Sequence, residues 1–245
     1  MPFCTSCGTE NPDVAKFCLA CGTPIVAAPR PQEFRKIVTI VFSDLKGSTA
    51  MGEKLDSESL REVMTRYFDA MSAELEKHGG VVEKFIGDAI MAVFGLPKLH
   101  EDDALRAVRA AFDMQKAQAV LNDELDRHWG VRLTVRTGVN TGEVVAGDPS
   151  SGQRFATGDT VNVAARLEQA AGAQEVLLGD LTYRLVRDYV DVEEVEPLEL
   201  KGKSEPVPAY RLVGVREGAE RPRRHDAPMI GRDEELEVLR SALRC

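Results

Sequence analysis

The chain has 245 residues, 43% hydrophobic and 29% charged, which suits a globular protein of one large or two small domains. No apolar run approaches the roughly 18 residues that span a bilayer. The start, MPFCTSCGTE, has no basic stretch leading into an apolar one, so the cytoplasm is the expected compartment. The net charge of −9 sits mainly in the middle, because residues 1–36 carry four basic and three acidic side chains and residues 216–245 carry seven of each. That acidic body argues against wrapping duplex DNA, but a nucleotide needs only a few local cations and metal ions.

In chain order, the first segment is CTSCGTENPDVAKFCLACG. Cys4, Cys7, Cys18 and Cys21 form two Cys-x-x-Cys pairs, each followed by a glycine, Gly8 or Gly22, that relieves a tight turn. Four thiolates at this spacing predict a structural zinc site with no open position for catalysis. Two disulfides are the alternative, and a cytoplasmic chain disfavours them. A ribbon this small folds around its metal rather than a core. Residues 1–25 resemble the short zinc ribbons at the front of many bacterial regulatory proteins; with no catalytic position open, the ribbon is expected to dock or position something, and a protein partner is expected through the ribbon or the C-terminal tail. Cys245 stands alone at the C-terminus. Residues 26–35 hold several prolines and read as a semi-rigid linker.

The body is expected over residues 36–215. Lys36–Phe42 reads as a buried strand. Leu60, Val63, Met64, Tyr67, Phe68, Met71 and Leu75 recur at helical spacing, and Gly79-Gly80 ends that helix. VVEKFIGDAIMAVFG follows, with Gly87-Asp88 as a two-residue turn between apolar strands. A second helix is predicted from about Glu101 to Arg127, with acids in its first turn. Val131–Val139 and Glu143–Ala146 read as a strand pair. A helix over about Thr160 to Ala171 comes next, then strands at Val176–Leu178, Val190–Val195 and Val207–Val213. No internal repeat stands out. The order predicts an α+β sandwich, with helices on one face of a mainly antiparallel sheet.

Two carboxylates interrupt this apolar framework. Asp44 stands where the first strand gives way to polar chain, and it either caps a turn or pairs with Asp88 across the sheet end. Two such charges ~4 Å apart repel by about 4 kcal/mol at an effective dielectric of 20. A bound Mg²⁺ or Mn²⁺ would reverse that penalty. Asn162 and Arg166 are four residues apart and share a helical face. His78, His100, His128 and His225 are scattered and form no catalytic set.

SDLKGST, EKFIGDAIMAVFG, RTGVNTGEVVAG, GDTVNVAARLE and LKGKSEPVPAYRL occur in this order. Together they resemble the class III nucleotidyl cyclases over about Lys36 to Val215. The resemblance implies the ferredoxin-like cyclase sandwich and production of cyclic AMP from ATP, with cyclic GMP from GTP or a weakly active nucleotide-binding regulatory module as alternatives. It implies two Mg²⁺ or Mn²⁺ ions per site, held by Asp44, Asp88 and the Leu45 carbonyl. Lys84 matches the lysine that reads the purine edge, Asn162 the residue that orients the ribose, and Arg166 the arginine that stabilises the transition state. Lys201 matches the lysine on the terminal phosphates. It further implies a head-to-tail homodimer, inert as a monomer, in which one copy supplies the aspartates and the other the purine, ribose and phosphate contacts.

The chain departs from the pattern at one position. Seven residues before the ribose asparagine, adenylyl cyclases usually carry Asp or Thr, and here Phe155 stands there. A phenyl ring accepts no hydrogen bond from the adenine amino group, although it can stack on a purine. Losing such a contact weakens base discrimination by a few kcal/mol. Thr157 or Asp159 could substitute. In the tail, residues 216–245, APMIGRDEELEVLRSAL resembles the entry to an AAA-like signalling ATPase domain. Read alone, it is an amphipathic helix with Leu236, Leu239 and Leu243 on one face.

Overall fold

The computed structural model describes residues 3–12, 15–24, 34–47, 51–52, 54–146, 156–199 and 206–216, with residues 237 and 241. The body is an eight-stranded sheet with helices on both faces rather than on the one face expected, because its central strands carry apolar side chains alternately to two faces and both must be buried. The first strand, β1 (Phe34–Leu45), is central and pairs antiparallel with β3 (Ala89–Phe94) on one side and β4 (Val135–Ala146) on the other. β2 (Val81–Ile86) forms the hairpin with β3 and lies at the edge. Beyond β4 come β6 (Val176–Gly179), β8 (Val207–Val215) and β7 (Val190–Leu198), so the order is β2-β3-β1-β4-β6-β8-β7. The short β5 (Ala156–Thr157) pairs with the far end of β4. The β4–β6 pair is parallel and the other pairings are antiparallel, as the predicted α+β class requires.

Helix α1 (Ser57–Lys77) starts at Asp56, whose carboxylate accepts the amides of Glu58 and Ser59 at 3.0 Å. Val63, Tyr67, Met71 and Leu75, one turn apart, bury its inner face. It stops where Gly79 takes φ +86°. Helix α2 (Asp103–Trp129) buries an apolar stripe beside it and ends on Gly130 in the left-handed region. Gln118 and Asn122, both buried on α2, donate to the Leu133 carbonyl at 2.7 and 2.9 Å, which ties the helix to the chain entering β4. Alternation along β1 divides the core between the two faces. Val41 and Leu45 pack with α1 and α2, while Val38 and Ile40 pack on the opposite face with Ala164 of α3 (Asp159–Ala170). A short helix, α4 (Asp180–Val186), follows β6 and was not anticipated.

One element corrects the sequence reading. The expected strand pair at Val131–Val139 and Glu143–Ala146 is a single twelve-residue strand, β4. Asn140-Thr141-Gly142 resembles a turn, but its glycine serves a close approach. A Cβ on Gly142 would lie 2.5 Å from the Thr160 hydroxyl, and one on Gly138 would lie 2.2 Å from the Ala164 carbonyl oxygen of α3. The missing side chains let α3 lie directly on the strand.

Candidate functional site

The candidate site forms at the end of the sheet where β1 stops and the β2–β3 hairpin turns. Ser43 pairs with Ile90, so Asp44 on the next residue comes opposite the Gly87-Asp88 turn. Gly87 has φ +64°, and glycine tolerates this at no steric cost. Asp44 also sits opposite Arg136 of β4. The Arg136 guanidinium donates to Asp44 Oδ2 at 3.0 Å. Its Nε lies 2.6 Å from Glu168 Oε1 on α3, but the N–H is not aligned for a hydrogen bond, so this contact is electrostatic. Glu168 is only 3% exposed.

Two carboxylates, Asp44 and Glu168, therefore converge on one guanidinium, and the Asp88 charge acts on both of them. Burial raises the Asp44 carboxyl above its ordinary range; the Arg136 hydrogen bond opposes this and the Asp88 charge adds to it. Burial pushes Glu168 up to about 7, against Arg136 and with help from Asp44 and Asp88. The Tyr67 hydroxyl, buried beside Ser43, makes no well-formed hydrogen bond, and burial pushes it up as well. A place that resists its own negative charges in this way suits a divalent cation: Asp44 and Asp88 are hard oxygen ligands, and the Leu45 carbonyl lies next in the chain. These residues fit Mg²⁺ or Mn²⁺.

Asn162 and Arg166 lie on α3, exposed and half-buried respectively, and neither has a hydrogen-bond or ionic partner among the described residues. Both polar groups are open to a ligand. Lys84 lies on the edge strand β2, opposite Met91 and two residues before its end. Phe155 and Lys201 lie outside the described residues, as do residues 26–33 of the expected linker and nearly all of the tail; the linker's last two positions, 34 and 35, already belong to β1. In the tail, Glu237 and Ser241 are helical, the Ser241 hydroxyl donating to the Glu237 carbonyl at 2.8 Å. Sequence reasoning missed Arg136 and Glu168. Neither carries a local signal: Arg136 reads as an ordinary cation in a strand, and only the β1–β4 register sets it opposite Asp44.

The ribbon is a second centre. Phe3–Glu10 (FCTSCGTE) is repeated at Phe17–Pro24 (FCLACGTP), a duplication the sequence reading passed over. Each half closes with the same bonds: Gly8 to the Cys4 carbonyl and Gly22 to the Cys18 carbonyl, both 2.9 Å. The four sulfurs lie within 4.8 Å of one another, with Cys4–Cys21 at 3.5 Å and Cys7–Cys18 at 3.6 Å. A tetrahedral zinc with Zn–S of ~2.3 Å would set them about 3.8 Å apart, so the donors fit the ion. Backbone hydrogen bonds from Ala20 and then Cys21 lower the Cys18 thiol to about 6, which favours the thiolate a metal needs.

Two family models match the two parts of the chain. Residues 31–214 match the adenylate and guanylate cyclase catalytic domain, and residues 3–25 match a zinc-ribbon domain. A terminal-differentiation-specific adenylate cyclase of Dictyostelium discoideum is 31% identical over 191 residues, 74% of this chain and 9% of that protein. The chain spans between 9% and 37% of the length of this relative and three other curated adenylate cyclases that it matches. Among solved structures, the Pseudomonas aeruginosa adenylyl cyclase CyaB aligns with TM-score 0.72 and 34% identity over 76% of this chain and 98% of that one. The guanylyl cyclase Cya2 aligns with TM-score 0.70 and 33% identity over 77% and 97%. With the catalytic-domain match spanning most of its length, the chain belongs to the class III adenylate and guanylate cyclase family and carries a zinc ribbon ahead of its cyclase domain.

Proposed function

We infer that the protein is an adenylate cyclase that converts ATP to 3′,5′-cyclic AMP and pyrophosphate in a head-to-tail homodimer, for signalling in the cytoplasm. The observation that carries this reading is the convergence of Asp44 and Asp88 beside Arg136 at one end of the sheet. Asp44, Asp88 and the Leu45 carbonyl would hold Mg²⁺ or Mn²⁺, which lowers the pKa of the ribose 3′-hydroxyl and neutralises the triphosphate. The 3′-oxygen forms its bond to the α-phosphorus, the bond to pyrophosphate breaks, and the hydroxyl proton passes to solvent. Arg136 faces the same end and is placed to take a phosphate oxygen in exchange for Asp44. The second copy supplies the other half. Arg166 meets the charge that grows on the transferring phosphoryl oxygens, Asn162 orients the ribose, Lys84 and Phe155 meet the base, and Lys201 holds the terminal phosphates.

A second reading changes the base to guanine. Cya2 resembles the chain almost as closely as CyaB does, and Phe155 offers adenine no acceptor. The deciding experiment incubates the purified protein with ATP or GTP and Mn²⁺ and quantifies cyclic nucleotide against Asp88→Ala. Cyclic AMP from the parent and none from the variant is expected. Cyclic GMP alone would move the assignment to guanylate cyclase. Nucleotide binding with no product at high protein concentration would leave a regulatory module.

A further inference from the structure

Six arginines are half-buried among the described residues: Arg66, Arg106, Arg109, Arg136, Arg166 and Arg211. Four of them hold carboxylates. Arg66 pairs with Glu62 and Glu124, Arg106 with Asp102, Arg136 with Asp44 and Glu168, and Arg211 with Glu175 and Glu193. Arg166 and Arg109 alone hold none. Removing a guanidinium from water without a partner is unfavourable, so a half-buried, unpaired one is placed for an anion that arrives later. Arg166 has such a role in the proposed reaction. Arg109 lies on α2, on the other face of the sheet from α3, and serves no part of that site.

Arg109 lines a cavity of about 240 Å³ with His78, Phe112, Asp113, Lys116 and Arg216. The one carboxylate lining it is already engaged. Asp113 takes His78 Nε2 at 2.9 Å, Lys116 at 3.0 Å and Lys77 at 3.6 Å. Burial alone would raise its carboxyl, but these partners hold it below the ordinary range. Arg216 is fixed by Asp191, at 3.0 and 2.6 Å. Glu74, His78 and Asp113 also converge as a metal would require, but Lys77 and Lys116 already occupy both carboxylates, so a further cation would meet repulsion. What the cavity lacks is negative charge. Its volume is below the ~300–1,000 Å³ of pockets for drug-sized molecules, so it suits a small ion.

We propose that this cavity is a second oxyanion site, taking inorganic phosphate or a small phosphate monoester, with Arg109 as its principal donor and Lys116 and His78 beside it. The planar guanidinium offers two parallel N–H groups to two phosphate oxygens. Lys116, 4.5 Å above the Phe112 ring, adds charge at the rim.

The test is calorimetric titration of the full chain with inorganic phosphate and, separately, with methyl phosphate. Parent, Arg109→Gln, Arg109→Lys and, as a control at an exposed arginine of α1 outside both sites, Arg61→Gln proteins are compared, and a thermal melt checks that each is folded. Expected is saturable binding in the parent, weakened on the order of tenfold or more in Arg109→Gln and less in Arg109→Lys, and unchanged in Arg61→Gln. The tighter of the two ligands identifies the source, free ion or ester. No saturation in the parent, equal binding in folded Arg109→Gln, or equal loss of binding in Arg61→Gln would each overturn the site. Should Arg109→Gln fail to fold, the charge-preserving Arg109→Lys decides in its place.

Discussion

Arg136 and Glu168 show how a single side chain can be held ready without touching substrate. Glu168 is buried, lies 2.6 Å from the guanidinium and has no other partner for that oxygen among the described residues. Removing one member of a buried pair costs roughly 3–5 kcal/mol, because the survivor is left charged in a poor solvent. Glu168→Gln keeps the shape and removes the charge, so Arg136 should lean further onto Asp44. The expected outcome is a raised KM for nucleotide with a smaller change in kcat, measured at saturating Mn²⁺. The pH dependence of stability gives an independent readout. The Glu168 carboxyl ionises near 4.5 when unfolded and near 7 when folded. Between those values the folded chain keeps a proton that the unfolded chain has lost, so stability falls as pH rises through that window. The fall is on the order of 3 kcal/mol. Asp44, raised in the same direction, adds to it. Urea unfolding from pH 4.5 to 8 without divalent metal should show a shallower fall in Glu168→Gln than in the parent. Identical slopes would mean that the Glu168 carboxyl titrates normally.

At the scale of the element, the contact between β4 and α3 sets the site. Gly138 is where the helix backbone meets the strand, and an added Cβ would overlap both the Ala164 carbonyl and the Glu168 amide, at 2.2 and 2.5 Å. Gly138→Ala should therefore cost at least ~1–3 kcal/mol by overpacking and should displace Glu168 from Arg136. Gly87→Ala is the contrast. Its Cβ meets nothing within 4 Å, so it should cost only ~1–2 kcal/mol from the left-handed backbone. Denaturation midpoints separate the two variants. The same contact explains what the sequence left hidden. Local signals, an apolar strand end and a Gly-Asp hairpin, left Asp44 either to cap a turn or to meet Asp88, and the β1–β3 register brings the two to one end of the sheet. Arg136, ninety-two residues from Asp44, becomes its partner only through the β1–β4 register, which no local pattern encodes. Asn140-Thr141-Gly142 reads locally as a turn, and only the packing of α3 shows why glycine stands in a continuous strand. The ribbon is the opposite case, since cysteine spacing alone predicted the cage. Its described residues bury little besides Cys4, Cys18 and Asn11. Chelation should accordingly release zinc while leaving the helical circular dichroism of the body unchanged.

At the scale of the whole molecule, the two functional sets belong to different regions of one chain. The aspartates sit at the β1 end and the hairpin turn, while Asn162 and Arg166 are carried on α3 with open polar groups. If each active site takes its aspartates from one copy and its arginine from the other, a broken copy of one kind repairs a broken copy of the other. Asp88→Ala and Arg166→Ala homodimers should each be inactive, the second by about 10²- to 10³-fold if the arginine acts as a fixed oxyanion donor. In a mixed dimer both defects fall into one site and the other site is intact. Random exchange makes half of the dimers mixed, with one working site of two, so the mixture should recover roughly a quarter of parent activity per chain. Recovery should also disappear on dilution below the dimer dissociation constant, in step with the mass read by sedimentation. Inactive mixtures, in a protein that is dimeric and active as the parent, would place the whole site within one copy. The open Arg166 would then have to reach Asp44 and Asp88 of its own chain.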